Sequence, residues 1–565
     1  MMNYSILKCC AKLVSGTALA ISAFSAQADY LYDFPFKGQN FSDYEKLYTF
    51  KHADSTSQKH GFDISGKRFN FGTGKWTSLK GNVDEDKNEN RVIYEKSIYA
   101  MRSGTVVGCW RSAPENPRVK NGSDYLKDEQ GEYILDDEGN KISSPERLWI
   151  HPRLRDVANR TIPKAGNHLL IKHADNSYAL YAHMVPGSIP YKFCPRTESN
   201  YDELGLSSIP GSDYPDITGI SPTRSYTLTV NKGDKIGEVG NSGNSTGPHL
   251  HVHVAEGEVG GNTGIPIKFR RGIAAKYESS KKHPSWVSFA GKEVKTSWSG
   301  TDSTATLIWP ARSLGSQYVR HGFNSDGYSG LFKHLVDSGF KIDWFDGFTV
   351  GNTTRYNMIW KPVNIGWRHY SRKTSSGYQS VFNKAVDDGY VPTHVESYNT
   401  PYGVRYSAIF EKKSTGFLAR HNISYNEHMN TYNQAKNLGM SPTSISVVSV
   451  NGERRYTVLY QKRNIGSWSI RSQMTSSQYN TTFADMKANN KFPVYLNSYV
   501  HNGTVYYTAV FASKPESNYV GAKHGLTASG FQSYFNYYSG YGYLTKLITG
   551  IDGYNYTHYA GVWRK

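Results

Sequence analysis

The sequence predicts a mainly β protein in two parts, an antiparallel β-sheet domain followed by α+β tandem repeats. Residues 29–48 are aromatic and polar, with short strand-like pieces and no helical period, and later segments have the pattern of hairpins. From about residue 301 an aromatic strand pattern recurs roughly every 50 residues. The chain has 565 residues, enough for two or three domains. We therefore predict one domain over residues 29–300 and a repeat array over residues 301–565.

The first 28 residues are typical of an export signal. Lys8 and Lys12 give it a basic start, an apolar run over residues 13–24 follows, and Ala26-Gln27-Ala28 is a small-x-small cleavage site. The apolar run is too short to span a membrane as a stable helix, and no later stretch is long and apolar enough to do so. We expect cleavage after Ala28 and a secreted or periplasmic protein with no membrane span.

Two cysteines remain after cleavage, because Cys9 and Cys10 belong to the signal. In an exported protein, Cys109 and Cys194 are expected to form a disulfide.

The chain is strongly basic, with a formal net charge of +18, or about +16 once the signal and its two lysines are removed. This charge suits anionic cell-surface polymers as partners. Nucleic acid is disfavoured, because the Lys and Arg residues are scattered and no recognition motif accompanies them.

A histidine-rich motif follows a loop of Gly, Asn and Ser residues that begins at Gly240. The loop leads to Pro248 and then to His249, His251 and His253. If this segment is a strand, alternation places all three imidazoles on one face. Such a row suits a zinc pocket, because neutral imidazole is a common zinc ligand, although a solvated polar strand face has the same pattern.

The loop, the Gly-Pro step and the paired histidines together resemble the signature of the lysostaphin-type zinc endopeptidases, which cut peptide bonds in bacterial cell walls. The resemblance covers roughly residues 48–275, interrupted by three insertions. It implies a lysostaphin-like antiparallel β-sheet peptidase domain that holds one Zn²⁺ per chain through two histidines and an aspartate. By the same match His251 is a zinc ligand and His249 a catalytic residue, while His253 either orients a ligand or is a surface residue.

The resemblance also implies the remaining ligands. Phe62-Asp63-Ile64 is similar to the family's aromatic-Asp-apolar step, so Asp63 is expected to be the carboxylate ligand. The other histidine ligand is expected to be His52, because some members space this pair widely. His60 is the alternative, although only two residues separate it from Asp63, which places the two side chains on opposite faces of a regular strand.

Two further segments match strands of that family. Residues 167–183 are predicted to form a hairpin around an Ala-Asp-Asn turn, and its second strand carries a Tyr-Ala-His step that makes His183 a catalytic histidine by resemblance. With His249 it would activate water and stabilise the oxyanion. His173, ahead of the turn, is expected to be structural or on the surface. Residues 97–108 are predicted to form another hairpin.

The C-terminal half shows an internal repeat. Strand patterns end in aromatic residues spaced 51, 50, 50, 51 and 52 positions apart, namely Trp309, Trp360, Phe410, Tyr460, Phe511 and Trp563. Each unit is predicted to run strand, helix, strand, turn, strand, and the apolar spacing in residues 376–389 favours a helix. The five predicted units are 309–360, 361–410, 411–460, 461–511 and 512–565.

These units resemble the bacterial tandem repeat of about 50 residues found beside polyglycine hydrolases. Most of them share a basic residue followed by histidine, namely Arg320-His321, Arg368-His369, Arg420-His421 and Lys523-His524, while the fourth has Arg471-Ser472. One histidine per unit at matching positions favours a structural hydrogen bond over metal binding. The aromatic residues suit either stacking on glycan rings or the core of the repeats.

The combined expectation is a secreted zinc metalloendopeptidase that hydrolyses peptide bonds of peptidoglycan cross-links, with repeats that target it to a wall or surface. A protease of glycine-rich host proteins is one alternative. An inactive surface-binding protein is another, and the irregular spacing of the first histidine ligand is the feature in its favour.

Overall fold

The structure, a computed structural model, describes residues 31–49, 58–111, 113, 115, 116, 119, 132–142, 165–195, 228–256, 263–298, 305–514 and 520–565. The fold is mainly β, with a large antiparallel sheet in the N-terminal half and units of strands and one helix behind it, which confirms the predicted fold class. The predicted signal over residues 1–28 lies outside the described residues. In the described ranges, no helix has both the length and the apolar character needed to cross a membrane.

The first domain is built from thirteen strands in the described residues. They are β1 (Glu45–Thr49), β2 (Phe62–Asn70), β3 (Lys75–Thr77), β4 (Ser97–Tyr99), β5 (Gly104–Trp110), β6 (Asn167–Lys172), β7 (Ser177–Met184), β8 (Thr229–Val230), β9 (Lys235–Glu238), β10 (Leu250–Glu256), β11 (Gly272–Lys276), β12 (Val287–Ser288) and β13 (Thr306–Pro310). One sheet has the order β12-β11-β13-β1-β2-β10-β7-β6-β5-β8, with β3 paired to β2, and β4 pairs with β9 separately.

The centre of this sheet is formed by β2, β10 and β7, which carry the sequence motifs. All eight residues of β7 are buried, as expected of a strand covered on both faces. On β2 and β10, the side chains of Ile64, Leu250 and Val252 are fully buried in the main core. The opposite faces of β2 and β10 therefore remain for polar side chains.

Of the two hairpins predicted from the sequence, the structure contains one and lacks the other among the residues it describes. The hairpin over residues 167–183 is confirmed, because β6 and β7 pair antiparallel. The hairpin over residues 97–108 is wrong, since β4 pairs with β9 while β5 pairs with β6 and β8. Between β4 and β5, Ala100 and Met101 are buried, and their N–H groups donate to Asp234 O and Tyr181 Oη. These bonds lead the chain from one sheet to the other instead of reversing it.

The predicted disulfide between Cys109 and Cys194 is confirmed. Cys109 lies on β5, the Cα atoms of the two residues are 5.7 Å apart, and both side chains are buried. The bridge ties the segment after β7 to the sheet.

The C-terminal array contains fifteen strands and five helices in the described residues. They are β14 (Tyr318–Asn324), α1 (Tyr328–Ser338), β15 (Phe340–Val350), β16 (Thr353–Pro362), β17 (Trp367–Lys373), α2 (Ser375–Asp387), β18 (Val391–Tyr398), β19 (Arg405–Glu411), β20 (Phe417–Ile423), α3 (Tyr425–Asn437), β21 (Ser441–Val450), β22 (Glu453–Gln461), β23 (Trp468–Met474), α4 (Ser476–Ala488), β24 (Phe492–His501), β25 (Thr504–Ala512), β26 (Val520–Thr527), α5 (Ala528–Gly540), β27 (Leu544–Asp552) and β28 (His558–Arg564). Each unit therefore runs strand, helix, strand, strand, as predicted, and its last strand is the middle one of three.

Local signals explain these elements. The side chains of Thr374, Ser424, Thr475 and Thr527 each accept a hydrogen bond from the N–H three residues later and so cap the next helix. The turn between β21 and β22 has positive φ at Asn451 and Gly452, the conformation of a two-residue hairpin turn that matches the twist of the strands.

The five units close into a ring around their second strands. Each of these strands has a polar residue at one equivalent position, namely Asp346, Glu396, Ser446, Asn497 and Thr549. The seam between the last and first units is made by Gly550 N, which donates to Asp346 Oδ2 at 2.9 Å, and by Trp344 Nε1, which donates to Ile548 O at 2.7 Å. An added Cβ at Gly550 would come within 2.5 Å of the Phe348 ring, so this seam requires glycine.

The recurrent histidines join neighbouring units, in agreement with a structural role. His421 Nε2 lies 3.0 Å from Ser375 Oγ at the start of the preceding unit's helix, and His524 Nε2 lies 3.1 Å from Ser476 Oγ. His321 closes the ring in the same way, 2.9 Å from Gln532 Oε1 on α5. The structure thus supports hydrogen bonding for these residues.

In the second unit, the basic-histidine pair does not occupy the position that the sequence comparison of the units predicts. The residue of β17 equivalent to His421 is Ser371, because the bulge of this strand lies between Tyr370 and Lys373. His369 is two positions earlier, and its Nε2 contacts Tyr328 Oη at 2.8 Å in the first unit. The pair Arg368-His369 is therefore out of register with the other basic-histidine pairs.

The strand β13 also lies outside the ring. Its sequence pattern resembles that of the repeat strands, but its residues pair with β1 and β11 in the first sheet. Leu307 and Ile308 are fully buried there, which accounts for their apolar character.

Candidate functional site

The pairing of β2 with β10 brings a carboxylate and an imidazole together. Asp63 is the direct cross-strand partner of His251, and Asp63 Oδ1 lies 2.8 Å from His251 Nδ1. His251 is 7% exposed, whereas a quarter of the Asp63 side chain is accessible. The two groups therefore form a polar pair at the edge of solvent, on the face of β2 and β10 opposite the main core.

His253 lies next to this pair on the same strand face, as strand alternation predicts. Its Nδ1 is 2.9 Å from His251 Nε2, and the residue is 4% exposed. Both ring nitrogens of His251 thus have polar neighbours, and the orientation of this imidazole is fixed.

His183 and His249 form a second pair beside the first. Their ring centroids are 4.8 Å apart, and His249 Nε2 lies 3.7 Å from Asp63 Oδ1. His183 Nδ1 is 2.8 Å from Ser242 O, and His249 Nδ1 is 2.8 Å from Gly247 O. Because a carbonyl oxygen only accepts, Nδ1 carries the proton in each neutral ring, and Nε2 is the basic nitrogen.

His183 has a backbone conformation that is uncommon for a residue with a side chain. Its φ is +66°, and such strain of roughly 1–3 kcal/mol persists where the surroundings hold the residue firmly, often at functional sites. Its N–H donates to Ala165 O at 2.9 Å and its carbonyl accepts from Gly240 N at 3.0 Å. Burial, with the nearby His249 and His251, lowers the pKa of His183 well below its usual value, so this imidazole is neutral at pH 7.

A buried network of amide side chains supports the loop that leads to His249. Asn116 Nδ2 donates to Gly243 O and to Ser245 O, and Asn241 Nδ2 donates to Asn88 Oδ1 at 2.9 Å. Asn88 in turn donates to Asn116 O at 2.6 Å. These bonds fix the loop whose carbonyl groups orient His183 and His249.

The supporting residues were not predicted from the sequence. Asn88 lies between β3 and β4 and Asn116 lies after β5, and no sequence motif marks either one. Their role follows only from contacts between segments 28 and 153 residues apart.

Three further histidines were singled out in the sequence, namely His52, His60 and His173. His52 lies outside the described residues. His60 Nδ1 is 3.2 Å from Glu293 Oε2, and both side chains are partly exposed. His173 is buried and its Nδ1 lies 2.9 Å from Ser103 O, in agreement with a structural role.

The donor set fits zinc as far as the structure describes it. In the described ranges, no group of three or more His, Cys, Asp or Glu side chains is placed to hold a metal ion. Asp63 and His251 nevertheless supply a carboxylate and an imidazole whose nearest atoms are 2.8 Å apart, and both groups are common zinc ligands. The segment over residues 50–57, outside the described residues, contains the third predicted ligand.

Comparison with known proteins identifies the repeats. Residues 315–363, 364–413, 414–463, 465–514 and 521–565 match the family described as a polyglycine hydrolase-like structural repeat. No curated protein matches the chain. The predicted resemblance of the array is therefore confirmed.

Two solved structures are similar to parts of the chain. The SpoIIQ-SpoIIIAH pore-forming complex matches at 11% identity and a TM-score of 0.17, over 41% of this chain and 89% of the other. A zinc-containing peptidase from Vibrio cholerae matches at 13% identity and a TM-score of 0.12, over 34% of this chain and 46% of the other. The chain thus spans less than half the length of the Vibrio protein.

Proposed function

We propose that the protein is an exported zinc metalloendopeptidase that hydrolyses peptide bonds of bacterial peptidoglycan cross-links. The observation that carries this proposal is the meeting of two pairs, Asp63 with His251 and His183 with His249, on neighbouring strands of one sheet. The first pair has the chemistry of metal ligands, and the second has the chemistry of proton transfer.

In this proposal, Asp63, His251 and His52 hold one Zn²⁺ per chain. A bound Zn²⁺ supplies a Lewis acid for the scissile carbonyl and acidifies water to a pKa of about 7. The exposed part of Asp63 is the side from which substrate reaches these ligands.

The two other histidines carry the proton. An imidazole Nε2 of His183 or His249 accepts a proton as water adds to the scissile carbonyl carbon, and the resulting N–H then donates to the oxyanion. The same proton passes to the leaving amine nitrogen when the C–N bond breaks. The bonds from Nδ1 to Ser242 O and Gly247 O keep each ring oriented during both steps.

Three features support an extracellular wall as the place of action. The N-terminal 28 residues have the pattern of a cleaved signal, the disulfide suits an oxidising compartment, and the net charge of +18 favours anionic surfaces. The repeat array is proposed to help place the enzyme on such a surface.

Incubation of the mature protein with purified peptidoglycan is expected to release soluble fragments with new peptide amino termini. Mass spectrometry of the fragments, with and without a zinc chelator, tests this and identifies the bond. Fragments that disappear with chelator support the proposal. Bound zinc without fragments from several wall types would favour a protein substrate, and the absence of both would favour a binding protein.

His253→Leu is expected to weaken zinc binding by about 10- to 100-fold, because the group beside His251 Nε2 is lost. His253→Gln is the matched control, since its amide oxygen can accept from the same N–H. Zinc affinity is measured by competition with a chromogenic chelator. Equal affinity in the wild type and the leucine variant would show that His253 does not orient the ligand.

A further inference from the structure

The aromatic residues of the repeats fall into two groups. Most belong to the core, such as Tyr356, Tyr456 and Tyr559, whose side chains are at most 2% exposed. Two tyrosines of the last unit differ, because Tyr537 on α5 is 58% exposed and Tyr541, directly after α5, is 63% exposed. The core of the repeats therefore does not account for these two rings, which we call the tyrosine pair.

The capping residues align the helices of the last four units and show that the tyrosine pair is specific to the last one. Ten residues after the N-cap, the other three units have polar side chains, namely Lys384, Gln434 and Asp485. At the C-cap, four residues later, they have Asp388, Leu438 and Asn489. All six of these side chains are exposed. The last unit has Tyr537 and Tyr541 at these positions, so the fold of a unit requires no aromatic ring at either one.

The two rings of the tyrosine pair lie side by side at the end of α5. Their centroids are 5.0 Å apart, and their planes are inclined to each other by 56°. A Cβ added at Gly540, which precedes Tyr541, would meet open space. Because more than half of each tyrosine side chain is also accessible, the pair is an aromatic surface that a ligand can reach.

Contacts with the core of the last unit hold the tyrosine pair in place. The Tyr537 ring meets the Tyr538 ring edge to face, with centroids 5.3 Å apart, and Tyr538 stacks on the buried Trp563 at 4.9 Å. A Cβ at Gly521 would collide with the Tyr538 ring, so glycine makes room for this stack. The N–H of Tyr541 donates to Tyr538 O at 3.1 Å. The surface is thus preformed, which reduces the entropy lost when a ligand binds.

The helix that carries the tyrosine pair is uncharged. Each of α1, α2, α3 and α4 has at least one basic and one acidic side chain, whereas α5 has neither. Lys523 lies over the ring of Tyr534, at 5.1 Å, and so next to a different ring. Ser533, one helical turn before Tyr537, adds a hydroxyl to the same face. A surface of tyrosine, serine and glycine complements a ligand that is neutral, polar at its edges and built of rigid rings.

A chain of N-acetylated pyranose rings has this chemistry. Each ring has an apolar C–H face that packs on an aromatic ring, and hydroxyl and amide groups at its edge. The backbone of peptidoglycan is such a chain, and it is neutral where the stem peptide converts the carboxyl group of the sugar to an amide. A protein partner is disfavoured, because two rings supply much less than the roughly 1,000 Å² that a stable protein interface buries.

We propose that the tyrosine pair binds the neutral glycan backbone of the wall whose peptide cross-links are cut at the zinc site. The inference rests on the proposed function for the source of the glycan. The C–H face of a sugar packs against the rings of Tyr537 and Tyr541, and the tyrosine and Ser533 hydroxyls bond with its polar edge. The last repeat unit thereby holds the enzyme on its polymeric substrate through contacts that do not depend on charge.

Titration calorimetry of the full-length mature protein with a hexasaccharide of β-1,4-linked N-acetylglucosamine tests the proposal. This probe has the neutral sugar backbone and no stem peptide. We expect saturable binding with the same Kd at about 0.1 M and about 0.5 M salt, because contacts between uncharged groups are not screened. The second probe is an uncross-linked peptidoglycan fragment, which keeps its stem peptides and offers no cross-link for cleavage. We expect it to bind as well.

The variant for this test is Tyr537→Gln/Tyr541→Asn, whose new side chains already occupy the equivalent positions in the third and fourth units. The Kd for both probes is expected to rise by about tenfold or more, because exposed aromatic anchors dominate the contact. The matched control is Tyr402→Gln/Tyr556→Asn. It removes two tyrosines that are 84% and 66% exposed elsewhere on the array and is expected to leave both Kd values unchanged.

The outcomes separate this inference from the proposed function. Binding that is weakened in the Tyr537/Tyr541 variant and kept in the control supports the inference. It would be overturned by no binding of the hexasaccharide, by binding of the hexasaccharide but not the wall fragment, by a Kd that rises with salt, or by equal weakening in both variants. A wild-type dimer that becomes a monomer in the variant, measured by sedimentation velocity, would assign the surface to a second copy of the chain instead. Cleavage of a short glycan-free peptide reports on the proposed function alone, because that substrate contains no sugar.

Discussion

A His251→Ala variant is expected to lose both bound zinc and peptidase activity. The change removes the imidazole that contacts Asp63 Oδ1 and leaves the carboxylate without its cross-strand partner. His52→Ala is expected to have the same effect, because it removes the other proposed histidine ligand. Zinc content is measured by elemental analysis of the purified protein, and activity by release of peptide amino termini from peptidoglycan.

Two further variants are the controls for this result. His249→Ala is expected to keep zinc near one per chain and to lower kcat by roughly 10²- to 10⁴-fold, since it removes a proton acceptor and no ligand. His60→Ala is expected to keep both zinc and activity, because His60 contacts Glu293 at the surface. Loss of zinc from His60→Ala but not from His52→Ala would exchange the two assignments, and full zinc in His251→Ala would refute the ligand set.

Three buried carboxyl groups are expected to make the stability of the repeat ring depend on pH. Burial raises the pKa of Asp346 to about 7 and that of Asp552 to about 6. Burial, together with the charge of Asp346, raises the pKa of Glu396 well above its usual value. The folded ring therefore binds protons more tightly than the unfolded chain, where carboxyl pKa values are about 4. This stabilisation is complete below about pH 4 and is lost as the pH rises through about 7.

Asp346→Asn tests the contribution of Asp346, which includes its effect on the pKa of Glu396. Because the amide resembles the neutral acid, the free energy of unfolding of the variant is expected to exceed that of the wild type by more at pH 8 than at pH 5. The two excesses are expected to differ by on the order of 2–4 kcal/mol. Buried histidines such as His394, whose pKa is lowered by burial to about 4, are present in both proteins, so their contribution to the pH dependence is common to the two. Thermal unfolding at the two pH values gives the result, and an equal difference at both would show that Asp346 is ionised in the folded ring.

Much of the repeat architecture follows from the sequence because each unit repeats the same local signals. Caps such as Thr374 and Ser424 begin helices, and apolar residues at helical spacing define the buried face. The register of single residues within a strand is harder to predict from the sequence. His369 follows an arginine as His421 does, yet the bulge of β17 makes Ser371 the equivalent of His421. Bulges shift register without leaving a sequence signal that distinguishes them.

In the candidate site, too, some contacts follow from the local sequence pattern and others only from the complete fold. Strand alternation predicts that His251 and His253 share a face, and their 2.9 Å contact agrees with this. The pairing of His251 with Asp63 could be anticipated only through a family resemblance, because 188 residues separate them. The amides of Asn88 and Asn116 could not be anticipated, since their partners are backbone and side-chain groups brought close only by the complete fold.

The seam between Gly550 and Asp346 sets the number of repeats. Open stacks of repeats can gain or lose a copy at little cost, because each copy contacts only its two neighbours and the ends are free. Here each unit turns the chain by about a fifth of a circle, and the last unit completes a bond to the first. Duplication or deletion of one unit would leave a gap or a clash at that bond. Recombination among these similar segments is therefore restricted to exchanges that preserve a count of five.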